Sequence, residues 1–285
     1  MMTCTKWRLG TLMSVGTLLL ITFGARANET KVSESSCVSG IRVAILESPE
    51  NFAVLESELI QAYARSTCGT AESIELRMTL GRNAAFLERG MADGQYDVLG
   101  ARWVGTPERE KNYCLVPYMP SALALLAHEE SGIDSRAGLA GKRVCVLEGT
   151  TYLDRLPPIE GLEAVYAPDP NSYFGMFQNG DCDAALLDSP LALALSKLRA
   201  RVVDFLSTGD FLMIAFSETR QCNDFARFLV RSIETGGYQH LVGRLFPQES
   251  MIFLRYSTED SPELAESPEE TTPELIKAEI MKRLE

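Results

Sequence analysis

The feature that most constrains this chain is the alternation of two hydrophobic patterns between Ile41 and Pro247. Short runs rich in β-branched and aliphatic residues, typical of strands, alternate with stretches in which apolar residues recur every three or four positions, as in helices. The strand candidates are 41–46, 73–80, 96–102, 122–128, 142–148, 162–167, 182–188, 201–205 and 211–217. The helical segments are 53–66, 83–94, 172–180, 190–198 and 222–246. This alternation predicts an α/β architecture, either as two small lobes or as one larger domain.

The N-terminus has the pattern of a cleavable secretory signal. A basic start precedes an uncharged apolar run, 9–24, and the Ala-Arg-Ala triplet at 25–27 places small residues at the two positions that a signal peptidase reads. A retained anchor is the alternative, but the run is short for a membrane span. We therefore expect a signal peptide at 1–27, a mature chain from about Asn28, and export to the periplasm.

Charge and cysteine usage narrow the class further. The chain has a net charge of -12, which disfavours binding to nucleic acid. Apart from the cysteine in the signal, an even number remains, and in an oxidising compartment this predicts disulfide bonds. The candidates are Cys37, Cys68, Cys114, Cys145, Cys182 and Cys222, and the sequence leaves their pairing open. Zinc is the alternative, but there is no CxxC pair and no histidine beside a cysteine, so we expect neither metal nor organic cofactor.

The C-terminal segment, 251–285, differs in composition from the rest. Residues 257–274 are acidic and proline-containing with few large apolar groups, which predicts a solvated linker. Thr271 and Glu274 then have the spacing of a capping box before a short helix. That helix would carry one apolar stripe, made of Leu275, Ile276, Ile280 and Leu284. A helix this short is either a segment that docks on another surface or a marginal terminal helix without a binding role.

Four segments carry more specific motifs. They are "GQYDVLGARWVGTPERE" (94–110), "LAGKRVCVLEGTTYLDRL" (139–156), "FQNGDCDAALLDSPLAL" (177–193) and "IETGGYQHLVGRLFP" (233–247). In this order they resemble the motifs of bacterial periplasmic solute-binding proteins of family 3, the amino-acid-binding type. The resemblance implies two α/β lobes joined by two hinge strands, the type II periplasmic binding fold, which closes on its ligand by hinge motion.

The same resemblance implies a division of the chain and a partner. Lobe one would comprise 41–121 plus 212–250 and lobe two 126–206, with hinges at 120–128 and 206–213. The protein would be a monomer that captures a small carboxylate-bearing ligand, an amino acid or a derivative. It would deliver that ligand to an inner-membrane ABC permease or report it to a sensor.

In the family, the arginine that matches Arg109 holds the ligand's carboxylate through two parallel charge-assisted hydrogen bonds. Thr106 and Pro107 would stiffen its loop. Without the resemblance, Arg109 would be interpreted as a surface arginine at a turn. The residues that match Gly149-Thr150-Thr151 grip the same carboxylate with backbone amides and a hydroxyl at a helix start. A simple helix N-cap by Thr150 is the alternative.

The family residue that matches Asp188 accepts hydrogen bonds from the ligand's ammonium group. Here Asp188 precedes Ser-Pro, so it could instead be only the N-cap of the next helix. Together, Arg109, Thr151 and Asp188 would place charges opposite to those of an α-amino acid.

The chain also departs from the family pattern. Small hydroxyl residues usually precede the arginine, but this chain has Ala101, Arg102 and Val104, with Trp103 and Gly105 between them. Strand alternation predicts that Arg102 and Val104 share a face, and on the cleft side they would favour extra negative charge on the ligand or exclude simple amino acids. The family's stacking aromatic is missing near the first strand. Phe52 is the one candidate to replace it, and Glu47 or Glu50 adds an acid without a counterpart.

Two other classes of function remain open. His128 and His240 lie in no nucleophile motif, so no catalytic residue is assigned. Dehydratases on this fold are known, and Asp188 or Glu47 could serve such an enzyme as a general acid. A receptor-like accessory protein would instead use the tail, 256–285, to bind a membrane or periplasmic partner.

Overall fold

The computed structural model describes residues 40–47, 51–68, 76–81, 83–189, 200–246, 253–256, 262–265 and 273–284. Several predicted features therefore lie outside the described residues: the signal peptide at 1–27, Cys37, Glu50, the helix at 190–198 and Thr271. The strands are β1 (Ile41–Leu46), β2 (Leu76–Gly81), β3 (Val98–Val104), β4 (Cys114–His128), β5 (Arg143–Leu147), β6 (Glu163–Ala167), β7 (Ala184–Asp188), β8 (Ala200–Phe216), β9 (Phe253–Tyr256) and β10 (Pro262–Ala265). The helices are α1 (Phe52–Cys68), α2 (Ala84–Ala92), α3 (Pro107–Asn112), α4 (Pro170–Asn179), α5 (Thr219–Glu234), α6 (Gly237–Leu245) and α7 (Pro273–Leu284).

One eight-stranded sheet runs through the fold in the order β2-β1-β3-β8-β4-β7-β5-β6. At one end β1 pairs in parallel with β2 and β3, and at the other β5 pairs in parallel with β6 and β7. Between them, β4 and β8 are long and antiparallel to each other. The predicted fold class is confirmed: two α/β lobes are joined by two shared strands. We call the β2-β1-β3 side lobe one and the β7-β5-β6 side lobe two.

The shared strands are longer than predicted. The candidates 201–205 and 211–217 merge into β8, and the candidate 122–128 extends back to Cys114 as β4. The reason is that the two strands pair with each other along their length, from Cys114 opposite Phe216 to His128 opposite Ala200. The predicted hinges are thus parts of two continuous strands.

Local signals explain where several helices begin and end. Asn83 caps α2, since its side-chain oxygen accepts from the backbone N–H of Phe86 at 2.9 Å. Asp169 caps α4 in the same way, and Gly180 ends that helix in the left-handed conformation. The predicted closing helix, 222–246, is wrong as a single element. It is two helices, α5 and α6, because Gly236 adopts a φ of 76° between them.

Two disulfide bonds lie within the described residues. Cys114 at the start of β4 bonds Cys222 on α5, with Cα atoms 6.0 Å apart. Cys145 on β5 bonds Cys182 just before β7, with Cα atoms 5.5 Å apart. Each bond ties two segments of one lobe.

Three elements of the C-terminal segment lie within the described residues, namely β9, β10 and α7. β9 and β10 pair as an antiparallel ladder, so Pro262–Ala265, within the predicted linker at 257–274, forms backbone pairs. The predicted terminal helix is present as α7. Its Ile276 and Ile280 are fully buried in the main hydrophobic core, so the helix docks on the protein's own body. Among the described residues, no helix has both the length and the hydrophobicity needed to cross a membrane.

Candidate ligand-binding cleft

A cleft opens between the end of β3 in lobe one and the ends of β5 and β7 in lobe two. The empty space between its walls, counted together with the part that is open to solvent, is about 370 Å³. Its walls are formed by Leu46, Ala84, Ala101, Arg102, Trp103, Val104, Arg109, Leu147, Gly149, Thr150, Thr151, Tyr152 and Asp188. The structure therefore brings together most of the residues predicted for the site, from three separate stretches of sequence.

Arg109 lies in this cleft and not in bulk water. Thr106 begins α3, and its hydroxyl oxygen accepts from the Arg109 backbone N–H at 3.3 Å. The side chain is 9% exposed. Its Nη1 donates to the Val104 carbonyl at 3.2 Å, and its Nη2 donates to the Gly149 carbonyl of lobe two at 3.4 Å. The guanidinium thus bridges the two walls.

The guanidinium of Arg109 also has an anionic and an aromatic neighbour. Its Nη2 lies 3.5 Å from the Glu88 carboxylate on α2, and its Cζ lies 4.4 Å from the centre of the Trp103 ring. Burial lowers the pKa of Arg109, and the charge of Glu88 offsets part of that effect. Sequence reasoning missed Glu88, since nothing in its helix marks it as a partner of the arginine.

Arg102 and Trp103 lie where the sequence departs from the family pattern of small hydroxyl residues. Gly100 pairs with Ile214 and Trp103 pairs with Met213, so the strand bulges between them. Arg102 has a φ of 51°, the one positive value at a non-glycine residue in the described part of the chain. Arg102 and Val104 both line the cleft, but the simple strand alternation used to predict a shared face does not hold at this bulge.

The lobe-two wall begins with a tight turn after β5. Gly149 has a φ of 78°, and a Cβ there would lie 2.9 Å from the Ala85 backbone nitrogen of lobe one. Only glycine fits, because both the backbone angle and the close approach exclude a side chain. The predicted helix start at Gly149-Thr150-Thr151 is wrong. The Thr150 hydroxyl donates to the Leu147 carbonyl at 2.7 Å, and only a short 3-10 turn, Leu153–Arg155, follows.

Asp188, at the end of β7, is 3% exposed. The Tyr152 hydroxyl donates to its Oδ2 at 2.9 Å. Burial raises the pKa of Asp188, while the positive charge of Arg102 is the largest opposing influence. The aspartate of lobe two therefore lies within the electrostatic reach of the arginine of lobe one. Tyr152 was not predicted, although it directly follows the Gly-Thr-Thr motif.

A buried acid, Glu56 on α1, lies behind the lobe-one wall. Its Oε1 accepts from the Tyr118 hydroxyl at 2.7 Å and from the Arg102 backbone N–H at 3.0 Å. Burial raises the pKa of Glu56 to about 7, against the lowering effect of these hydrogen bonds and of the Arg102 charge. A signal for Glu56 existed in the sequence: it occupies the apolar stripe of α1, where Phe52 precedes it and Ile60 follows it at four-residue spacing.

Phe52 and the two histidines lie elsewhere. Phe52 has no exposed surface and contacts Phe246, with ring centres 5.1 Å apart, so the structure does not place it in the cleft wall. His128 stacks on Phe177 at the far end of β4, and His240 lies on α6. No group of three His, Cys, Asp or Glu side chains within the described ranges is arranged to hold a metal ion.

The two walls touch each other directly. The Asn83 side-chain amide donates to the Pro168 carbonyl at 2.9 Å, in addition to the contact between Arg109 and the Gly149 carbonyl. Arg155 forms an ion pair of 2.6 Å with Asp210 on β8. The cleft is therefore closed in this structure.

Comparison with known proteins supports the fold. No protein-family model and no curated protein sequence matches the chain. Among solved structures, the substrate binding protein of an amino acid ABC transporter matches with a TM-score of 0.65 and 18% identity, over 73% of this chain and 99% of that one. The ligand-binding core of GluR0 from Nostoc punctiforme, in complex with L-glutamate, matches with a TM-score of 0.63 and 21% identity, over 72% and 99%. The ancestral amino acid-binding protein AncCDT-1, a precursor of cyclohexadienyl dehydratase, matches with a TM-score of 0.63 and 22% identity, over 73% and 96%. The chain therefore has the fold of two-lobed amino-acid-binding proteins.

Proposed function

We propose that this chain is a divergent periplasmic solute-binding protein of family 3 that captures a small carboxylate-bearing ligand, an amino acid or a derivative, by hinge closure. The observation that carries the proposal is the position of the Arg109 guanidinium, which is buried between the two walls and bonded to both. The ligand would then be handed to an inner-membrane ABC importer. The fold shared with amino-acid-binding proteins supports this direction.

Arg109 is suited to hold the ligand's carboxylate. A guanidinium presents two parallel N–H donors to a carboxylate, and α3 and the Trp103 ring already fix its orientation. Its ionic contact with Glu88 is long, at 3.5 Å, and Glu88 is one-third exposed. An incoming carboxylate therefore replaces a weak, partly solvated ion pair with a buried one, assisted by Gly149, Thr150 and Thr151 on the opposite wall.

Asp188 is suited to hold the ligand's ammonium group. The carboxylate is buried, and the Tyr152 hydroxyl occupies only one of its oxygens among the hydrogen bonds of the described residues. A buried carboxylate gains most from a cation that reaches it, because the surroundings screen the pair weakly. Arg109 on one wall and Asp188 on the other would thus recognise the two charges of an α-amino acid.

Closure would couple ligand binding to the relative position of the two lobes. The contacts from Asn83 to Pro168 and from Arg109 to Gly149 join the walls, so a ligand can enter only when they separate. We propose that lobe one (41–121 plus 212–250) and lobe two (126–206) move as units while β4 and β8 bend. A receptor-like accessory protein would use the same closure and differ in the partner that reads it.

The experiment is a thermal-shift and calorimetric screen of the mature protein, residues 28–285, with amino acids, dicarboxylates and aromatic acids. A ligand at a hundredfold excess over its Kd should stabilise the protein by about 2.7 kcal/mol. Arg109→Ala should lower the affinity of any hit by about a hundredfold or more, since it removes the carboxylate's charge-assisted bonds. Arg227→Ala is the matched control, because Arg227 is exposed and its ion pair within the described residues is with Asp224, in the same helix turn.

Two results would contradict the proposal. If the Arg109→Ala protein bound the hit as tightly as the Arg227→Ala protein, Arg109 would not hold the ligand. If no carboxylate-bearing compound shifted the melting temperature of the mature protein, the role in solute capture would fall.

A further inference from the structure

Arg102 is a buried arginine that has no counter-ion among the described residues. It is 7% exposed, and within the described part of the chain its guanidinium forms no ion pair or hydrogen bond. Its Nε is fully buried without a hydrogen-bond acceptor among these residues. Burying a charge is strongly unfavourable unless an anion and hydrogen bonds compensate it. Arg102 therefore lacks an anion that would compensate its burial.

The backbone of Arg102 is held so that this side chain remains in the cleft wall. Its N–H donates to the Glu56 carboxylate, which also accepts from the Tyr118 hydroxyl. Gly100 makes room for that carboxylate, because a Cβ at this position would lie 2.8 Å from the Glu56 Oε2. The left-handed φ of 51° is unfavourable for an arginine, and it persists because these buried groups hold it.

The two arginines of the cleft are not equivalent. Arg109 already has Glu88 and two carbonyl oxygens as partners. Among the residues that the structure describes, Arg102 forms no ion pair, and Asp188 and Glu56 attract it from beyond ion-pair distance. An ammonium group bound at Asp188 would weaken even that attraction. A zwitterion with a single carboxylate, held by Arg109, would then leave Arg102 without compensation.

We infer that Arg102 binds a second acidic group of the ligand, so that the protein selects a dicarboxylic amino acid over neutral and basic ones. This inference rests on the proposed function, because it takes Arg109 and Asp188 as the sites of the α-carboxylate and the ammonium group. The guanidinium, left-handed backbone and buried support of Glu56 form one built site. The side-chain carboxylate of the ligand supplies the anion that Arg102 lacks among the described residues.

The test compares ligands that differ only in this second charge. Calorimetry on the mature protein would use L-glutamate and L-aspartate, their amides L-glutamine and L-asparagine, and L-arginine. The acids should bind at least about tenfold more tightly than the matching amides, since a charge-assisted hydrogen bond to a buried guanidinium is lost with the amide. L-Arginine should bind more weakly still, because its cationic end would meet Arg102.

Two variants assign the selectivity to the side chain. Arg102→Gln removes the charge and keeps most of the length, and Arg102→Gly removes the side chain while allowing the positive φ. In both variants the acids should lose their advantage over the matching amides, because the charge that distinguishes the two kinds of ligand is absent. Far-ultraviolet circular dichroism and the melting temperature without ligand verify that each variant is folded.

The outcomes separate this inference from the function on which it rests. Equal binding of acid and amide by the unaltered protein, or tighter binding of L-arginine, overturns the selectivity but leaves amino-acid capture intact. An acid preference that survives in both Arg102 variants overturns the role of Arg102. If none of the five amino acids binds, this inference fails, and the wider ligand screen decides whether the proposed function fails with it.

Discussion

The cleft and the face that receives the C-terminal helix are both buried, but they are built differently. The helix-binding face consists of the Cys114–Cys222 disulfide and neighbouring parts of β4 and α5. Ile276 and Ile280 of α7 are buried in the core beside it. Its polar contacts lie at the edge, where Lys277 meets Glu234 at 2.7 Å and Arg283 meets Glu110 at 3.0 Å. At the cleft, by contrast, ionisable groups themselves are buried, among them Arg102 and Asp188 in its walls and Glu56 behind the lobe-one wall.

The difference separates stability from recognition. Apolar burial and covalent cross-links favour folding without reference to any other molecule. Buried ions and a strained backbone oppose folding, and they persist where the rest of the structure holds them in place. The helix-binding face should therefore determine whether the protein folds, and the cleft should determine what it binds. Three changes test this separation through the free energy of unfolding.

The largest effect should come from the disulfide at the helix-binding face. Replacing Cys114 and Cys222 by serine opens a loop of 108 residues, and the chain-entropy relation gives a loss of about 5 kcal/mol in the free energy of unfolding. The matched control is the Cys145–Cys182 bond, which closes a loop of 37 residues and should account for about 1 kcal/mol less by the same relation. Urea unfolding measures both.

Ligand affinity provides the second readout for the disulfide. Neither Cys114 nor Cys222 lines the cleft, so the folded fraction of the serine variant should bind with unchanged Kd. A loss of affinity in protein that is still folded would mean that the two regions are coupled. Stability equal to that of the unaltered protein would mean that the cross-link does not restrict the unfolded chain.

The next effect should come from Glu56 and should depend on pH. Its pKa is raised from 4.5 to about 7 in the folded protein. Since the folded state binds this proton more tightly, the stability it confers is fully present below pH 4.5 and is lost as the pH rises through about 7. The loss between pH 4.5 and pH 8.5 is about 3 kcal/mol.

Glu56→Gln isolates this contribution. Glutamine does not titrate, so the free energy of unfolding of the variant should fall less steeply with pH than that of the unaltered protein. Burial also raises the pKa of Asp188, but that residue is present in both proteins and cancels in the difference. Parallel pH profiles for the two proteins would show that folding does not shift the pKa of Glu56.

Periodicity predicted the α/β fold, and the resemblance to solute-binding proteins implied a cleft that contains Arg109, Gly149 and Asp188. These signals are local, and the topology brings the three residues to the walls of one cleft. What they missed depends on contacts between distant segments. The pairing of β4 with β8 merged separate strand candidates, and Gly236 divided one predicted helix. Likewise, no local pattern says that Phe52 contacts Phe246 rather than a ligand.

The conformation of Arg102 shows the same limit within the site. The sequence indicated that Arg102 is an unusual cation beside the cleft, and strand alternation was the basis for predicting which face of the sheet its side chain occupies. The bulge between Gly100 and Trp103 and the hydrogen bond to Glu56 determine the actual geometry. The acceptor of that hydrogen bond lies on helix α1, 46 residues earlier in the chain. Tyr152 and Glu88 were missed for the corresponding reason, since each contacts a partner that is distant in the sequence of its own lobe, Asp188 for Tyr152 and Arg109 for Glu88.

The smallest effect should be a gain in stability when Arg102 is neutralised. A buried cation without an anion opposes folding, so Arg102→Gln should raise the free energy of unfolding by about 1 kcal/mol in the absence of ligand. The exposed control, Arg227→Gln, should change it by less than about 0.5 kcal/mol. Urea unfolding without ligand measures both. A clear loss of stability in Arg102→Gln would mean that the guanidinium stabilises the folded protein, and the cleft would then follow the same rule as the helix-binding face. A gain accompanied by the loss of acid selectivity would show that this charge is kept for the ligand.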